Sequence, residues 1–439
     1  MITVLAYVML AIFMYVIMTK KMSPFTTLVF VPLAFSAIAV GAGLSENKLG
    51  EFALKGLQTT STTGIMLLFA ILYFAIMLNA GLFDPVTRVM IRFAKGDPAK
   101  ILVATAIVAA TVSLNGDGTT TTMICCAAFI PIYKKLDLKM MNLGVLIILQ
   151  NTIMNLLPWG GPTARAMSVL EVGADILRYL APGMAVAVIY MLFVAWHLGK
   201  KERTRLGITR MTTEEIDKLT AVTDPEMLQL RRPRNTWINA VMTVTLIVLL
   251  VFAVFPPVFL FLVGTVLALM INYPDLKEQG RRISENAGDA VQVVILVFAA
   301  GIFMGLFNGT GMADAVAGSL ASIIPESLGG FWGIVVALIS APGTFFLSND
   351  AFYYGVMPVL AKTGYAYGFT PMQMALASLM GQAFHLLSPL VAFIYLLLRL
   401  TGLDMGQWQR ESAKWAIGIF VIFIAALVLT GAVPFYIPQ

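Results

Sequence analysis

Apolar runs about as long as a lipid bilayer is thick recur along this chain of 439 residues, and they limit its possible folds more than any other feature. A helix needs about 20 consecutive apolar residues to cross the hydrocarbon core. A membrane barrel would instead show alternating strands of about 10 residues, a pattern that the sequence lacks. Only 12% of the residues are charged, against about 25% in an average soluble domain. The chain is therefore predicted to be an all-α polytopic membrane protein.

About ten spans are predicted, two of them interrupted. They lie near residues 2–19, 25–43, 58–82, 140–170 (interrupted), 176–198, 237–254, 257–273, 288–308, 370–398 (interrupted) and 415–433. The first run has no basic start and no A-x-A cleavage site, so it is expected to remain in the protein as a span. Two further apolar stretches, 101–133 and 331–361, each have a polar centre. The adjacent Cys125 and Cys126 are expected to be small buried residues, not a disulfide.

The lysine and arginine residues predict the topology. Cytoplasmic loops collect these residues, and all but five of the 29 fall on one side if 101–133 and 331–361 each enter and leave the membrane by the same face. These two stretches are therefore predicted to be re-entrant hairpins. The basic segment 199–236 is then cytoplasmic and both termini are outside. Segment 84–97 is expected to be an amphipathic helix on the cytoplasmic surface of a bacterial inner membrane.

The polar centre of the first hairpin is SLNGDGTTTT, residues 113–122. Non-helical backbone at membrane depth is tolerated only inside protein or beside a watery cavity. Gly116 and Gly118 permit a tight turn at this point, and the neighbouring residues supply oxygen and amide groups. The second hairpin has a similar centre at 348–350, Ser-Asn-Asp. Both centres are therefore candidate binding tips.

Three motifs recur in the same order in the two parts of the chain that segment 199–236 separates. The pairs are LNAGLFDPV (78–86) with FNGTGMADAV (307–316), SLNGD (113–117) with FLSND (346–350), and MNLLPWGG (154–161) with FHLLSPLV (384–391). An odd number of crossings separates the two copies, so the second is predicted to be inverted relative to the first. Inverted repeats with broken helices in matching positions are typical of secondary transporters, which hold substrate near the membrane midplane.

Each interrupted span contains a helix break. The breaks are expected at 158–162 (Pro-Trp-Gly-Gly-Pro) and at Ser388-Pro389, where helix N-termini could bind anions. Charges at membrane depth cost at least ~2.5–3.5 kcal/mol each, which makes them functional suspects. Three such residues stand out: Asp117, Asp350 and Arg165. The carboxylates are suited to a cation and the guanidinium to an organic anion.

The runs SLNGDGTTTTMI, NLLPWGGPTARA and FLSNDAFYYGVMPVL resemble the citrate–divalent-metal/proton symporter family of the ion transporter superfamily. The resemblance covers essentially the whole chain. It implies uptake of citrate complexed with a divalent cation of the Mg or Ca class, driven by protons and without a permanently bound cofactor. The superfamily implies a homodimer of the elevator type with Ser-Asn hairpin tips. The family pattern carries an aspartate where this chain has Asn115, which leaves metal selectivity open.

The resemblance and the residue chemistry together define a predicted site. The substrate-binding residues are expected to be Ser113, Asn115, Gly116, Gly118, Thr119, Thr120, Asn155, Gly160, Gly161, Thr163, Arg165, Ser348, Asn349, His385 and Ser388. The metal is expected to bind Asp117 and Asp350. The candidates for proton coupling are Asp117, Asp350 and His385, since desolvation raises a carboxyl pKa and a nearby cation lowers it.

The resemblance also implies a scaffold that dimerises and a transport unit that moves. The expected parts are scaffold 1–100 and 237–330, transport unit 101–199 and 331–439, and cytoplasmic linker 200–236. Within the linker, residues 212–215 (TTEE) predict a helix cap. The expected partners are the citrate–metal complex, protons, the lipid bilayer and a second copy of the chain, with no nucleic acid.

Structural roles compete with these functional ones. Asp117 could only close a turn, Asp350 could be a helix N-cap, and Arg165 could be a counter-ion to Glu171 or Asp175. Other functions also remain open: transport of a dicarboxylate or sugar acid with protons or sodium, sodium/proton antiport, or a channel. An intramembrane hydrolase is disfavoured because the sequence has neither G-x-S-x-G nor H-E-x-x-H.

Overall fold

The computed structural model describes residues 1–209, 211–212, 214–215, 225–323 and 326–438, and these residues form helices joined by short turns, without a strand. The α-helices are α1 (Ile2–Met18), α2 (Pro24–Gly41), α3 (Leu49–Ala80), α4 (Asp84–Ala94), α5 (Pro98–Val112), α6 (Gly118–Lys135), α7 (Met140–Met154), α8 (Gly161–Leu170), α9 (Ile176–Leu206), α10 (Pro225–Leu230), α11 (Thr236–Val251), α12 (Pro257–Asn272), α13 (Leu276–Gly309), α14 (Met312–Ile323), α15 (Glu326–Gly329), α16 (Trp332–Phe346), α17 (Met357–Ala366), α18 (Pro371–Leu379), α19 (Gln382–His385), α20 (Ala392–Thr401) and α21 (Met405–Leu429). Single 3₁₀ turns occupy Ser113–Asn115 and Pro233–Asn235, and a π-helical turn occupies Ala351–Val356. The all-α prediction is confirmed.

All ten predicted spans coincide with helices. Within the described residues, seven segments are long and apolar enough to cross a membrane: Pro24–Gly41, Leu49–Ala80, Pro98–Asn115, Ile176–Leu206, Pro233–Val251, Leu276–Gly309 and Met405–Leu429. Six of these segments coincide with predicted spans, and the seventh, Pro98–Asn115, is the first arm of the first predicted hairpin. The four remaining predicted spans consist of the shorter α1 and α12 and of the two interrupted stretches. Helix α3 begins at Leu49 and α13 at Leu276, well before the predicted limits. Hydropathy marks only the part of a helix that lies in lipid, and these two helices continue past it.

Helices α3 and α13 end in the first pair of repeated motifs, LNAG and FNGT. The two helices are antiparallel neighbours, and their backbones come very close where they cross. A Cβ added to Gly56 would lie 2.0 Å from the carbonyl oxygen of Gly301, and one added to Gly305 would lie 2.2 Å from the carbonyl oxygen of Phe52. Side chains are therefore excluded from the crossing, as in other small-xxx-small contacts between membrane helices. The two repeats are joined through equivalent helices.

Both predicted hairpins are helix–turn–helix units. In the first, α5 and α6 are joined by the 3₁₀ turn and by Gly116, whose φ of +79° is a conformation that glycine adopts without strain. In the second, α16 leads through 347–350 into the π-helical turn and α17. Helices α5 and α16 have 15 residues each. At 1.5 Å per residue each of these two helices is about 22 Å long.

Helices α9 and α21 form an antiparallel pair that serves as a reference for direction. Near one end, a Cβ added to Gly183 would lie 3.1 Å from the Cβ of Ala426. Further along, the rings of His197 and Trp415 have centroids 6.1 Å apart. The residue numbers rise along α9 while they fall along α21, so the two helices run in opposite directions.

The two hairpins start from opposite ends of this helix pair. The base of the first packs on the C-terminal part of α9, where a Cβ added to Gly199 would meet the Cα of Ala99 at 2.6 Å. The base of the second lies beyond the C-terminal end of α21, where the Ile437 amide donates to the Gly330 carbonyl at 2.9 Å. The hairpins therefore enter the protein from opposite sides, as the inverted repeat predicts.

The segment predicted to be amphipathic forms helix α4. The helix ends at Ala94, and the next residue, Lys95, has a left-handed backbone conformation. Val89 and Phe93, four residues apart on one face, are exposed, whereas Ile91 is buried. The helix is confirmed, and its position on the membrane surface stays a prediction.

The two described ends of the linker are anchored to different parts of the chain. At its start, Arg203 forms an ion pair with Asp97 at the base of the first hairpin. At its end, Arg231 forms an ion pair with Asp84 at 3.0 Å. The predicted cap has reciprocal hydrogen bonds between Thr212 and Glu215, at 2.9 and 3.3 Å. Its second residue, Thr213, and the segment 216–224 lie outside the described residues.

Candidate substrate site

The tip of the first hairpin is stabilised by its own residues. The Asn115 side-chain oxygen accepts from the Asp117 amide at 2.6 Å. The Asp117 carboxylate accepts from the amides of Thr119 at 3.3 Å and Thr120 at 2.6 Å, so it is the N-cap of α6. A carboxylate suits this place because the N-terminus of a helix carries partial positive charge. Asp117 is nevertheless exposed, which leaves its remaining lone pairs accessible.

The hydroxyl groups of this tip fall into two classes. Thr119 is exposed and Thr120 is partly exposed, as expected for residues that contact a cargo. Ser113 and Thr122 are fully buried, and their hydroxyls have no hydrogen-bond partner within the described part of the chain. The predicted role of Ser113 in substrate binding would therefore require the tip to open.

The first interrupted span breaks where predicted. Helix α7 ends at Met154 and α8 starts at Gly161, so the α8 N-terminus is within the span. At the break, a Cβ on Gly160 would lie 2.1 Å from the carbonyl oxygen of Asn155, so only glycine fits there. The hydroxyl of Thr163, which is fully buried, donates to the Leu156 carbonyl at 2.9 Å. Thr163 thus stabilises the break, whereas the Asn155 side chain is partly exposed.

The tip of the first hairpin contacts both interrupted spans. The Trp159 indole donates to the Leu114 carbonyl at 2.8 Å, and this bond ties the tip to the first break. A Cβ added to Gly118 would lie 2.2 Å from the ring of Phe393, at the start of α20 in the second interrupted span. The tip therefore lies beside both helix breaks, as expected for a re-entrant hairpin.

An ion pair joins the two repeats at the centre of the site. Arg165 of α8 donates from Nε to the Asp350 carboxylate of the second hairpin at 2.7 Å. The guanidinium also donates from Nη1 to the Gly161 carbonyl at 2.9 Å. The two side chains are 20% and 18% exposed, respectively. The proposed counter-ions Glu171 and Asp175 are therefore not the partners of Arg165.

The tip of the second hairpin is fixed differently from the first. The hydroxyl of Ser348 accepts from the Ala351 amide at 3.1 Å. Asp350 makes no capping bond, so the interpretation of Asp350 as a helix N-cap was wrong. Ser348 takes this role because its short side chain reaches the backbone amide three residues later in the chain. The Asn349 side-chain oxygen accepts from Gln382 at 3.0 Å.

The second interrupted span resumes later than predicted. The helix starts at Ala392, not at Ser388, because 386–391 form a turn that contains Pro389. The hydroxyl of Ser388 is buried and accepts from the Leu390 amide at 3.2 Å. A helix N-terminus at Ser388 is therefore a wrong prediction, since the turn itself uses this side chain.

His385 is a buried residue that faces the second hairpin. Its Nδ1 lies 2.7 Å from the Thr344 carbonyl oxygen. Because a carbonyl oxygen only accepts, Nδ1 carries the hydrogen and Nε2 is the basic nitrogen of the neutral ring. His385 can thus take up one proton at Nε2, and its part in proton coupling stays a prediction.

A cavity of about 290 Å³ lies between α3, the loop that follows α8 and the turn that joins α11 to α12. Threonines of α3 line one side, among them Thr59 and Thr63, and the loop contributes Glu171 and Asp175. This loop is outside the predicted spans. Burial raises the pKa of Glu171, while Lys362 and Lys55 act in the opposite direction. The cavity separates the expected scaffold from the expected transport unit.

The two predicted metal ligands each have a protein partner. Asp350 is paired with Arg165 and Asp117 caps α6. Within the part of the chain that the structure describes, no group of three or more His, Cys, Asp or Glu side chains could hold a metal ion. Metal binding by Asp117 and Asp350 therefore stays a prediction, one that requires the cargo to provide further ligands.

Two groups of residues escaped the sequence analysis. Gln382 is 1% exposed and holds Asn349. The run Gln150-Asn151-Thr152 near the end of α7 is buried, and its five side-chain polar atoms have no hydrogen-bond partner among the described residues. Buried polar groups without partners are rare and call for a specific reason. The sequence did contain an indication of these residues, because amide side chains stand among apolar residues in both interrupted spans.

Two hairpins from opposite sides that meet two broken helices form a fold that is also found in solved structures of membrane transporters. The crystal structure of the Alcanivorax borkumensis YdaH transporter supports this fold, with a TM-score of 0.61 and 13% sequence identity. The match covers 88% of this chain and 89% of that one.

Sequence comparison gives the family. The profile described as citrate transporter matches residues 1–381. A protein of Bacillus subtilis (strain 168) named citrate transporter is 44% identical over 436 residues, which is 99% of this chain and 100% of the relative. A second protein of that organism, named Mg(2+)/citrate complex secondary transporter, is 39% identical over 436 residues, or 99% of both chains. The chain belongs to the citrate transporter family.

Proposed function

We propose that the protein is a secondary transporter that imports citrate complexed with a divalent metal ion, by symport with protons. The ion pair of Arg165 and Asp350 carries this proposal. It places one cationic and one anionic group at the junction of a hairpin tip and a broken helix. A metal–citrate complex presents the complementary pair, carboxylates and a cation, so it can replace both partners of the ion pair at once.

The anionic end of the cargo would bind on the side of α8. In the cargo-bound state, Arg165 can give a carboxylate two parallel N–H donors, which is the strongest contact of this kind. The N-terminus of α8 begins at Gly161, one turn before Arg165. Its free amides and partial positive charge add to the attraction for an anion.

The cationic end would bind on the side of the carboxylates. Once Arg165 has turned to the cargo, Asp350 is free to ligate the metal. Asp117, the exposed Thr119 and the partly exposed Thr120 offer further oxygens from the other tip. Mg²⁺ prefers a few carboxylates together with water and substrate oxygens over a complete protein cage. This preference fits a site in which citrate supplies much of the coordination.

Protons would provide the driving force. A fully ionised citrate with one divalent cation carries one net negative charge, so two or more protons make the cycle electrogenic. Each charge moved is then worth about 2.3 kcal/mol per 100 mV of membrane potential. The groups proposed to carry the protons are Asp117, Asp350 and His385. Of these, His385 offers Nε2, and the carboxylates can exchange a proton for the metal.

The proposed cycle uses the predicted division of the chain. Segments 101–199 and 331–439 move together as the transport unit of an elevator, against a dimeric scaffold formed by 1–100 and 237–330. The contact of both hairpin tips with both broken helices supports this grouping. In a bacterial inner membrane, the linker 200–236 would face the cytoplasm and both termini the outside.

Uptake of labelled citrate into proteoliposomes tests the proposal. A proton gradient is imposed with Mg²⁺, Ca²⁺, Mn²⁺, Ni²⁺, Zn²⁺ or a chelator outside. We expect uptake that needs both a divalent cation and the gradient. Uptake that is indifferent to every divalent ion refutes the complexed substrate, and uptake driven by sodium alone refutes proton symport. A dicarboxylate that is transported in place of citrate would refute the substrate itself.

A further inference from the structure

Gln382 lies at the start of the short helix α19, inside the second interrupted span, and only 1% of its surface is exposed. Its side-chain nitrogen is the centre of a chain of hydrogen bonds. Gln382 Nε2 donates to the Tyr353 hydroxyl oxygen at 3.1 Å and to the Asn349 side-chain oxygen at 3.0 Å. The Tyr353 hydroxyl donates to the Ser378 carbonyl at 3.3 Å. The chain thus runs from a backbone carbonyl to the tip of the second hairpin.

The Ser378 carbonyl sets the direction of every bond in this chain. A carbonyl oxygen only accepts, so the Tyr353 hydroxyl must use its one hydrogen there. The hydroxyl oxygen can then only accept, and the donor is Gln382 Nε2. With its nitrogen on this side, Gln382 gives its second hydrogen to the oxygen of Asn349.

The opposite orientation of the Gln382 amide would be less favourable. It would take the Tyr353 hydroxyl away from Ser378 and would leave the two hydrogens of Nε2 buried without partners. In the observed orientation only the acceptor Oε1 lacks a partner among the described residues. One unpaired acceptor costs less than two unpaired donors, each of which carries a desolvation penalty.

The orientation of Gln382 decides what Asn349 offers to a cargo. The Asn349 oxygen is turned to Gln382, so its NH₂ group points away from the protein interior. Asn349 is partly exposed and is the direct neighbour of Asp350, which pairs with Arg165. The tip therefore presents a fixed pair of N–H donors beside the ion pair.

We propose that Gln382 is a positioning residue that holds Asn349 as a hydrogen-bond donor for a carboxylate oxygen of the cargo. This inference rests on the proposed transport of a citrate complex and adds a determinant of its specificity. The Asn349 amide and the Arg165 guanidinium would then both offer N–H donors to the carboxylate oxygens of the cargo. The metal end of the complex would be left to Asp350 and the first tip, so the donors would favour one orientation of the cargo.

The variant Gln382→Glu tests this polarity at nearly constant shape. An ionised carboxylate cannot donate, so Asn349 would turn its NH₂ group to the introduced carboxylate and present its oxygen to the cargo. We expect the KM for citrate–Mg exchange in proteoliposomes to rise about 10-fold or more, as for loss of a hydrogen bond to a charged group. Vmax should change less. At lower pH the protonated carboxyl donates again, so the ratio of the variant's KM to that of the wild type should fall.

Gln373→Glu is the matched control. Gln373 lies in the same interrupted span and forms a capping box with Thr370, at 2.9 and 3.2 Å. Glutamate serves equally well in a capping box, so this variant should keep the KM of the wild type at every pH. Asn349→Asp should raise KM as Gln382→Glu does, and the double variant should show less than the product of the two effects.

Gln382→Met removes both donors without adding charge, and it should raise KM at all pH values alike. If Gln382→Met and Gln382→Glu both keep the wild-type KM between about pH 6 and 8.5, the inference is overturned. Should Gln382→Met fail to fold, the pH dependence of Gln382→Glu decides alone. If the wild type itself does not exchange citrate, the proposed function has failed, and this result differs from any outcome specific to Gln382.

Discussion

The two hairpins reach the same depth, but they are stabilised in different ways. The polar side chains of the first tip bond within it, because Asn115 and Asp117 accept from amides of their own turn and helix. Those of the second tip bond to the interrupted spans, through the contacts of Asp350 with Arg165 and of Asn349 with Gln382. The side-chain bonds of the first tip can persist whether or not cargo is present. In the proposed function, the second tip exchanges these contacts for contacts with the cargo, so we expect its conformation to differ between the empty and the loaded protein.

The strongest test of this comparison is Arg165→Ala. It leaves the Asp350 carboxylate without its partner in a mostly buried site, so unfolding free energy should fall by about 3 kcal/mol. Citrate exchange should fall by about 100-fold, because the anion loses its charged donor. Thermal unfolding in detergent and exchange in proteoliposomes measure the two effects.

The double variant Arg165→Ala/Asp350→Ala separates the effect on stability from the effect on citrate exchange. It should regain most of the lost stability, since no charge is left unpaired, but it should stay inactive. Exchange restored by the second substitution would mean that the ion pair is purely structural.

The two tip aspartates should respond differently to the same substitution. Asp350→Asn leaves Arg165 without a counter-charge, so both stability and citrate–Mg exchange should fall, exchange by about 10-fold. Asp117→Asn should unfold like the wild type, because asparagine is an equally good N-cap, while its metal dependence shifts to higher Mg²⁺ concentrations. Equal losses of stability in the two variants would contradict the contrast between the tips.

The link between the first tip and the first break should have a smaller effect. Trp159→Phe removes the indole bond to the Leu114 carbonyl and keeps an aromatic ring beside Phe74, whose centroid is 5.1 Å from that of the indole. The unfolding free energy should fall by about 1 kcal/mol. Hydrogen exchange of the amides in 113–117 should accelerate. Unchanged exchange there would show that the tip does not need this bond.

The smallest expected effect concerns Glu171, in the loop that joins α8 to α9. Burial raises the pKa of its carboxyl, so this group favours folding below its ordinary pKa and loses that contribution as pH rises through the raised value. Glu171→Gln should therefore raise the unfolding temperature by about 1–3 °C at pH 7.5 and leave it unchanged near pH 4. A higher unfolding temperature at pH 4 alone would reverse the sign and reject this cause.

The sequence was sufficient for the parts of the fold that depend on local patterns. The spans follow from apolar length, and the first tip follows from two glycines beside Asp117. The break at 158–162 contains two prolines and two glycines within five residues, a combination that favours the end of one helix and the start of another. The inverted repeat could be read because its three motifs kept their order.

Contacts between distant parts of the chain could not be read in this way. The partner of Arg165 is 185 positions away, whereas the sequence suggested the nearby Glu171 and Asp175. Whether Ser348 or Asp350 caps the π-helical turn depends on which side chain the other repeat claims. Gln382 was missed because a single amide in an apolar helix does not reveal its partner.

The crossing at Gly56 and Gly301 has a mechanical consequence. The two backbones are in direct contact there, so a displacement of α3 along α13 would have to break close packing at several glycines. We therefore expect the displacement of the proposed transport cycle to occur where the packing is looser, such as at the cavity beside Glu171. In this view the α3–α13 pair stays rigid, and the segments across the cavity move relative to it.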